Sequence, residues 1–425
     1  MLTYLRQLWH SADLRRRILI TLALLVIYRT TAHITVPGTD AFALAEYLNN
    51  RGSAGAIGVF AALTGGAIDN FSVVMLGLSP YINASIIIQL CTVIFPKLEA
   101  ISKEGIQGQQ QLNRYMRWLS FPLGFLQSYG FLLLISRGQL SLVNTDFPQV
   151  LLPMLYVTAG SMFLMWLGEL ITEKGIGNGV SLIIFAGIVS EIPTRMSTLF
   201  YASQTKATPF LLFALLSVAL LIAVVLFTDA HRLIPITYAN QGAGRGVQGG
   251  IPIRLNQAGM IPILFAISLV TFPTIIAQFL QTAERFQGVV SFLQLHLNPS
   301  NPSLLYLVFY FLLVIAFTFF YVSITFKPED VAEQIQKRGG FIPGIRPGPQ
   351  TAKILAATSN RLNFWGGVFL GVIAIVPLLF TRFSTLQSQD LIISGSGLII
   401  IVGVVMELIR QVNAQMLAHD YEKLV

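Results

Sequence analysis

The chain has 425 residues, of which 54% are hydrophobic and only 11% are charged, and its formal net charge is +8. Because soluble domains carry roughly 25% charged residues, this composition excludes an ordinary soluble protein and indicates an integral membrane protein. The single cysteine, Cys91, excludes an internal disulfide framework and any metal site built from several cysteines.

Ten apolar segments approach the ~20 residues that a helix needs to cross a bilayer. In chain order they cover residues 18–34, 71–95, 117–135, 150–170, 180–200, 209–227, 256–280, 304–326, 364–380 and 391–410. The sequence therefore predicts an all-α polytopic membrane protein with ten transmembrane helices. No small-residue cleavage site follows the first span, so we expect the basic segment 1–17 to precede an anchor and not a removable signal.

Lysine and arginine residues are unevenly divided between the two sides of these spans. With an even number of spans, the N-terminal segment, the even-numbered loops and the C-terminus lie on the same side of the membrane. That side carries twenty lysine and arginine residues, and the other side carries six. Because basic residues mark the cytoplasmic side, the sequence predicts that both termini are cytoplasmic.

The second predicted span is interrupted in a way that indicates a cavity. The apolar stretch 58–91 is broken twice, at Gly65-Gly66 and at the Gly-Leu-Ser-Pro motif 77–80. Backbone groups freed by such breaks stay unsatisfied in hydrocarbon unless protein or water receives them. We therefore expect a short half-helix at 57–63, then a loop, then a membrane helix, with the whole segment lining a cavity.

Two predicted cytoplasmic loops, 229–255 and 327–363, are far longer than the roughly 2–8 residues that usually connect helices in bundles. In the second loop Pro343-Gly344 and Pro347-Gly348 flank Arg346, which predicts that this arginine sits on a constrained tip. Long ordered loops tend to carry function. The positive-inside rule alone also explains the charge of both loops.

A weak internal symmetry divides the chain into two halves, 1–200 and 201–425. The Gly-x-x-Pro motif at 77–80 opens the second span of the first five, and another at 259–262 lies near the start of the second span of the last five. Since each half has an odd number of spans, this spacing predicts inverted repeats whose broken helices meet near the membrane midplane. Glycine and proline are also common in membrane helices, which is the simpler explanation of a single shared motif.

The spans hold few ionisable residues at membrane depth, where such residues are costly and persist only for function. Glu191 and Arg195 lie late in the fifth span, and snorkelling explains the candidates near span ends, which are Arg29, His33, Glu169 and Glu407. This scarcity disfavours an ion-coupled transporter or a proton pump. An aliphatic pore lining would instead resist ions by dewetting while it yields to a flexible or apolar chain.

The candidate lining residues are aliphatic side chains of the second, fifth, seventh and tenth spans, and for any one of them taken alone core packing is the simpler explanation. They are Leu78, Ile82, Val180, Ile184, Leu264 and Ile400. Catalytic motifs are missing, and the five histidines show no metal-ligand spacing. The glycine-rich stretches 175–179 and 242–246 follow no strand of a βαβ unit, so we interpret both as flexible junctions. Any energy from ATP must come from another protein.

Five sequence blocks point to a family. They are VPGTD at 36–40, GLSPYINASIIIQL at 77–90, MFLMWLGELITEKGIGNGVSLIIFAGIV at 162–189, IPIRLNQAGMIPILF at 251–265 and FIPGIRPGPQTAK at 341–353. In these blocks and in their order, the chain resembles the SecY/Sec61α family of protein-conducting channels along essentially its whole length. The resemblance implies two pseudo-symmetric inverted five-helix halves that form a clamshell around an hourglass-shaped central pore.

The resemblance also implies roles for individual residues. The six aliphatic residues would form a ring that constricts the pore, although Leu78, Val180 and Leu264 stand where isoleucine is commoner. Residues 57–70 would form a plug that closes the pore from outside. The plug residues are Ile57, Val59, Phe60, Leu63 and Thr64. A lateral gate would open between the second and third spans and the seventh and eighth, with Gln89 and Asn256 as polar groups near its seam.

Three arginines of the long loops would contact the motor ATPase SecA or the ribosome, namely Arg346, Arg245 and Arg254. Asn240 and Gly246 stand where relatives often carry Lys or Arg, so we expect weaker binding of acidic partners or ribosomal RNA. Other partners implied by the family are SecE-like and SecG-like small membrane subunits, signal-sequence-bearing preproteins and the lipid bilayer.

The function implied is a protein-conducting channel, without cofactor or enzymatic activity, that translocates unfolded secretory polypeptides and releases signal or transmembrane helices laterally. The membrane implied is the bacterial inner membrane, with thylakoid and other organellar membranes left open. Two alternatives from other classes stay open as well. An ion-coupled solute transporter is disfavoured by the missing intramembrane charges, and a membrane scaffold without a pore is disfavoured by the broken second span.

Overall fold

The structure, a computed structural model, describes residues 11–37, 66–68, 70–136, 148–203, 207–238, 249–280, 286–297, 302–383 and 395–422. The helices of these ranges, in chain order, are α1 Ala12–Thr31, α2 Ser79–Ile94, α3 Pro96–Lys103, α4 Ile106–Ser136, α5 Leu151–Lys174, α6 Gly179–Ser203, α7 Ala207–Asp229, α8 Ile261–Leu280, α9 Gln287–His296, α10 Leu304–Thr325, α11 Pro328–Lys337, α12 Pro349–Phe383 and α13 Gly395–Glu422. Three strands complete the fold, namely β1 His231–Tyr238, β2 Gly249–Arg254 and β3 Gly340–Phe341.

The predicted helical membrane protein is confirmed at the level of its helices. Within the described residues, four helical stretches are long and apolar enough to cross a membrane: Leu151–Lys174, Leu304–Lys337, which takes α10 and α11 together, Pro349–Phe380 and Gly395–Met416. Ser79–Ile94 and Pro96–Lys103 add a fifth span if they are taken together, although a bend of 103° separates them. Each of the ten predicted segments overlaps one helix, and their number as spans stays a prediction.

The break predicted at 77–80 is confirmed, and it sets the start of α2. Gly77 has a φ of 56°, in the left-handed region that glycine adopts without steric cost, and α2 begins two residues later with a proline in its first turn. The predicted span 71–95 begins too early, because residues 71–78 form turns. These turns are docked on the end of α1, where Val36 N–H donates to the Phe71 carbonyl (2.9 Å) and Val73 N–H donates to the Ile34 carbonyl (2.9 Å).

Helices from both halves of the chain share one main hydrophobic core. Its buried members come from α1, α2, α5 and α6 before residue 204 and from α7, α8, α10, α12 and α13 after it. Helix α2 packs on α4, while α8 packs on both α2 and α10. The core therefore draws on helices from the whole length of the described chain.

A small antiparallel sheet corrects the all-α expectation. Strand β1 pairs with β2, from His231 opposite Arg254 to Ile236 opposite Gly249, and its last two residues pair with β3, giving the order β2-β1-β3. Ile234 and Ile236 alternate with exposed residues, as expected for a strand with one buried face. They form a second core with α11 and the first turns of α12, so the described parts of the long loops 229–255 and 327–363 fold into one module.

Candidate functional site

The six aliphatic residues predicted to line the pore all belong to the main hydrophobic core. Leu78 precedes α2 directly, and the other five lie in the first two turns of α2, α6, α8 and α13. Leu78, Ile184, Leu264 and Ile400 are buried, each at most 7% exposed, while Ile82 and Val180 are half-buried against them. The fold therefore brings residues that are more than 300 positions apart in the chain into one apolar cluster.

Local hydrogen bonds fix the helix starts that carry these residues. Leu78 occupies the N-cap of α2, and its carbonyl accepts from the Ile82 N–H (2.9 Å). At the start of α6, the Asn178 side-chain Oδ1 accepts from the Ser181 N–H (3.1 Å) and the Asn178 carbonyl accepts from the Leu182 N–H (3.0 Å). An asparagine that pairs with an N–H group of the first turn is a favourable helix cap, so Val180 and Ile184 sit on a well-anchored turn.

The glycine-rich stretch 175–179 just before α6 is closely packed, so its prediction as a flexible junction is wrong. The Gly179 N–H donates to Thr172 Oγ1 (2.9 Å) and the Ile176 N–H donates to Thr21 Oγ1 (3.1 Å). A Cβ added at Gly179 would overlap the carbonyl oxygen of Gly168, so glycine is required there for close approach of α5 and α6. The other stretch, 242–246, lies outside the described residues.

The cluster is built from hydrophobic side chains alone. Its buried members and the hydrophobic residues packed on them carry no charge. In the described part of the chain, no group of three or more His, Cys, Asp or Glu residues is placed to hold a metal ion. Closely packed aliphatic side chains exclude water and ions, and they are displaced more readily by an apolar chain than by a hydrated ion.

The two predicted gate residues occupy different environments near the contact between α2 and α8. Gln89 is half-buried on α2, and its backbone carbonyl accepts from Thr92 Oγ1 (2.7 Å). Asn256 is buried ahead of α8, and its Oδ1 has no hydrogen-bond partner among the described residues. The neighbouring Gln257 accepts from Ser359 Oγ of α12 (2.9 Å), which ties the chain before α8 to α12.

One polar residue of this region was missed by sequence reasoning. Gln127 of α4 has both side-chain amide atoms buried and, within the described chain, without a hydrogen-bond partner. One turn earlier on the same helix, Gly124 lies against Pro80 at the start of α2. A glutamine near the middle of the predicted span 117–135 is the signal that identifies it, because a polar group at that depth is costly.

Two of the three arginines predicted to contact cytoplasmic partners, Arg346 and Arg254, lie on the module formed by the described parts of the two long loops. Arg346 is exposed on a tip constrained by Gly344 (φ 80°) and Gly348 (φ 101°), and its carbonyl accepts from Thr351 Oγ1 (3.1 Å), which confirms the predicted constraint. Arg254 is exposed at the end of β2. Partial burial lowers the pKa of its guanidinium and the nearby Arg410 lowers it further, whereas Glu407 opposes them.

Several predicted site residues lie outside the described residues. They are Arg245 and the plug residues Ile57, Val59, Phe60, Leu63 and Thr64. The half-helix predicted at 57–63 lies there as well.

Fold and site together define a class, a helical membrane protein organised around a charge-free apolar cluster that both halves of the chain build. The SecY family model matches residues 72–409, and the chain therefore belongs to the SecY family. Protein translocase subunit SecY of Streptomyces galbus is 38% identical to it over 441 aligned residues, which cover 99% of each chain.

Solved structures of channels share the fold. One, described as "The structure of a protein conducting channel", is 17% identical with a TM-score of 0.68 and covers 95% of this chain and 93% of its own. Another, described as "Sec61 in the Canine ribosome-channel complex from the endoplasmic reticulum", is 18% identical with a TM-score of 0.66 and covers 94% of this chain and 92% of its own. At these identities the likeness establishes the fold alone.

Proposed function

We propose that the chain is the protein-conducting subunit of a translocase. It passes unfolded secretory polypeptides across the membrane and releases signal and transmembrane helices sideways into the bilayer. The observation that carries this proposal is that Leu78, Ile82, Val180, Ile184, Leu264 and Ile400 all lie in the main hydrophobic core of a SecY-family fold. The chain supplies the conduit and is not an enzyme in itself, so the driving energy comes from a partner.

The architecture proposed for this conduit has ten spans in two inverted halves, residues 1–200 and 201–425, around a central pore. A helix on each predicted segment supports the ten spans. The main core supports a pore between the halves, because its buried members come from both. Odd numbers of spans in each half would make the halves inverted with respect to each other.

The aliphatic ring seals this pore in the idle state, and the segment 57–70 acts as the plug beneath it. The lateral gate lies between α2 with α4 and α8 with α10. Gln89 and Gln127 are polar side chains of α2 and α4, and Asn256 precedes α8. A signal helix that enters the gate offers apolar surface worth roughly 25 cal/mol per Å². Burial of a few hundred Å² therefore biases a two-state gate towards opening by several kcal/mol.

The cytoplasmic side is assigned to both termini and to the module that contains the strands. Two exposed tryptophans support this assignment, in addition to the count of basic residues. Trp118 lies one helical turn after Arg114, and Trp365 lies one helical turn after Arg361. Tryptophan at the interface next to basic residues is typical of the cytoplasmic boundary of a membrane protein. The membrane proposed is the bacterial inner membrane.

The partners proposed are SecE-like and SecG-like membrane subunits, and SecA, the ribosome or both on the cytoplasmic face. Arg346, Arg254 and Arg245 would contact these cytoplasmic partners. Asn240 and Gly246 reduce the positive charge of the same loop, so Asn240→Lys should steepen the salt dependence of ribosome binding by about one phosphate contact. An unchanged slope would remove this loop from the contact surface.

The proposed function is tested by reconstitution in vesicles. The chain and its companion subunits are incorporated with SecA outside, and a secretory precursor is followed by protection from added protease. We expect an ATP-dependent protected fraction that a precursor without its signal sequence does not give. Folded, inserted chain that protects neither precursor would contradict the proposal.

A further inference from the structure

Helix α9, Gln287–His296, joins α8 to α10 at the end of the helices farthest from the strands, because α8 follows β2 and α10 precedes β3. The helix has the sequence QGVVSFLQLH and contains no Asp, Glu, Lys or Arg. It packs mainly on α8. Val290 is the side chain that it buries, at 6% exposed.

The remaining surface of α9 is divided between an apolar and a polar sector. Three apolar side chains are exposed, Val289 at 49%, Phe292 at 51% and Leu295 at 72%. At 3.6 residues per turn, positions three apart are displaced by roughly 60°, so these three occupy an arc of about 120°. Gln287, Ser291 and Gln294, also exposed, fall on the side opposite to Val289 and Phe292.

Hydrogen bonds fix α9 relative to α10. Ser303 Oγ donates to the carbonyl of His296 (2.5 Å) at the end of α9, and the same Oγ accepts from the Tyr306 N–H (3.1 Å) at the start of α10. The first turns of α10 expose further apolar side chains, Leu304, Leu305 and Val308. The apolar sector of α9 is thus held beside an apolar surface that the proposed function assigns to lipid.

We propose that α9 is an interfacial helix whose Val289, Phe292 and Leu295 side chains enter the acyl region of the non-cytoplasmic leaflet while its glutamines face water. The proposal rests on the proposed function for the orientation of the chain. An amphipathic helix with an apolar face of this kind lies in the interface with that face about 5–10 Å into the headgroup and acyl boundary. Val289, Phe292 and Leu295 carry no charge that would specify a protein partner, and His296, which projects between Phe292 and Val289, stacks on the Phe292 ring with 4.5 Å between the ring centroids.

The consequence is a constraint on the gate. Helices α8 and α10 form one side of the proposed lateral gate, and α9 is the segment that connects them outside the cytoplasm. With α9 held in the interface, these two helices move together and at constant depth when the gate opens. The lipid-embedded helix thereby acts as an anchor for that side of the gate.

The test compares two neighbouring positions of α9 in the complete translocase. In a Cys91→Ser background, a single cysteine replaces Leu295 or, as the matched control, Gln294, and each is labelled with the fluorophore NBD. The complexes are reconstituted in phosphatidylcholine vesicles with or without lipids that carry a nitroxide near the headgroup end of the acyl chain. We expect a blue-shifted emission at Leu295 and quenching at least about two-fold stronger than at Gln294.

Two results would overturn the proposal. Emission typical of water at both positions, with equal weak quenching, would place the sector in solvent. A blue-shifted but unquenched label at Leu295 would show that a protein, and not lipid, covers it. Translocation by the same vesicles is measured separately, so failure of the channel function and failure of the interfacial helix are distinguishable.

Discussion

Gly77 and Gly259 adopt the same backbone conformation at the same position relative to a helix. Their φ angles are 56° and 66°, each lies two residues before the first residue of an apolar helix, and each of these helices has proline as its second residue. Since one glycine belongs to each half of the chain, the match extends the shared Gly-x-x-Pro motif from sequence to geometry. This match supports the proposal that α2 and α8 are corresponding elements of two repeats.

The first prediction tests the backbone requirement at Gly259. A Cβ at this position would meet no atom within 4 Å, so Gly259→Ala should destabilise through the left-handed φ alone, by about 1–2 kcal/mol. Gly288→Ala is the matched control, because it lies within α9 with equally open space, where alanine is favoured by roughly 1 kcal/mol. The apparent thermal midpoint of the purified complex should fall for Gly259→Ala and should stay unchanged or rise for Gly288→Ala. Equal midpoints would refute a strained turn at Gly259.

The second prediction concerns the packed stretch before α6. Gly179→Ala should destabilise the protein by roughly 1–3 kcal/mol or prevent its assembly, because the added methyl group would overlap the Gly168 carbonyl. Gly168→Ala is the control on the facing helix, since its Cβ would meet Val180 and Ile183 at ordinary contact distances of 3.4–3.5 Å. Yield and thermal midpoint in detergent measure both. If Gly179→Ala left the yield and the thermal midpoint unchanged, the stretch 175–179 would have to be interpreted as a flexible junction after all.

The third prediction concerns the seal. Ile184→Ser or Leu78→Ser should raise the ion conductance of the idle channel, because a hydroxyl in the ring lets water wet the constriction. Leu215→Ser is the control, because this apolar side chain of α7 is 71% exposed and does not belong to the main core. Single-channel recordings in planar bilayers make the comparison. If both ring variants fold but conduct no more ions than the parent channel, Ile184 and Leu78 are simply core residues.

The fourth prediction concerns Gln127, whose buried amide has no hydrogen-bond partner in the described chain. Gln127→Met keeps the length of the side chain and removes the unsatisfied groups, so it should stabilise the idle state by about 1–3 kcal/mol. A more stable idle state requires a more hydrophobic signal sequence to open the gate. Gln107→Met, exposed at the start of α4, is the control and should change neither quantity. A lower thermal midpoint for Gln127→Met would show that the amide is satisfied in the membrane.

Local sequence rules predicted the helices and the break before α2 because each depends on neighbouring residues. Apolar runs of sufficient length specify helices in a membrane, and Gly77 with Pro80 specifies where one begins. The packing of Leu78 and Ile400 in one core depends on long-range contacts. Their aliphatic character made both candidates for a pore lining, but their arrangement as a ring came only from the family resemblance, and core packing was the simpler explanation of each residue alone.

Other features depend on contacts that no local pattern reveals. The isoleucines of β1 lie in a strand because α11 and α12 cover one face of the β1–β2 hairpin. These two helices lie about a hundred residues further along the chain. The stretch 175–179 looked flexible because of its glycines, yet α1, α5 and α13 approach it so closely that only glycine fits. Glu169 was explained by snorkelling, whereas its Oε1 pairs with Arg117 Nε across α4 and α5 at 2.7 Å.

The central claim is that a polypeptide passes through the aliphatic ring, and a disulfide scan tests it most directly. Cys91 is replaced by serine, a single cysteine is placed at Ile184, and a secretory chain with one cysteine is stalled at successive lengths. The account predicts a disulfide whose position on the stalled chain shifts with its length. If no disulfide forms at any length, although the complex is folded and engaged, the ring does not enclose the translocating chain.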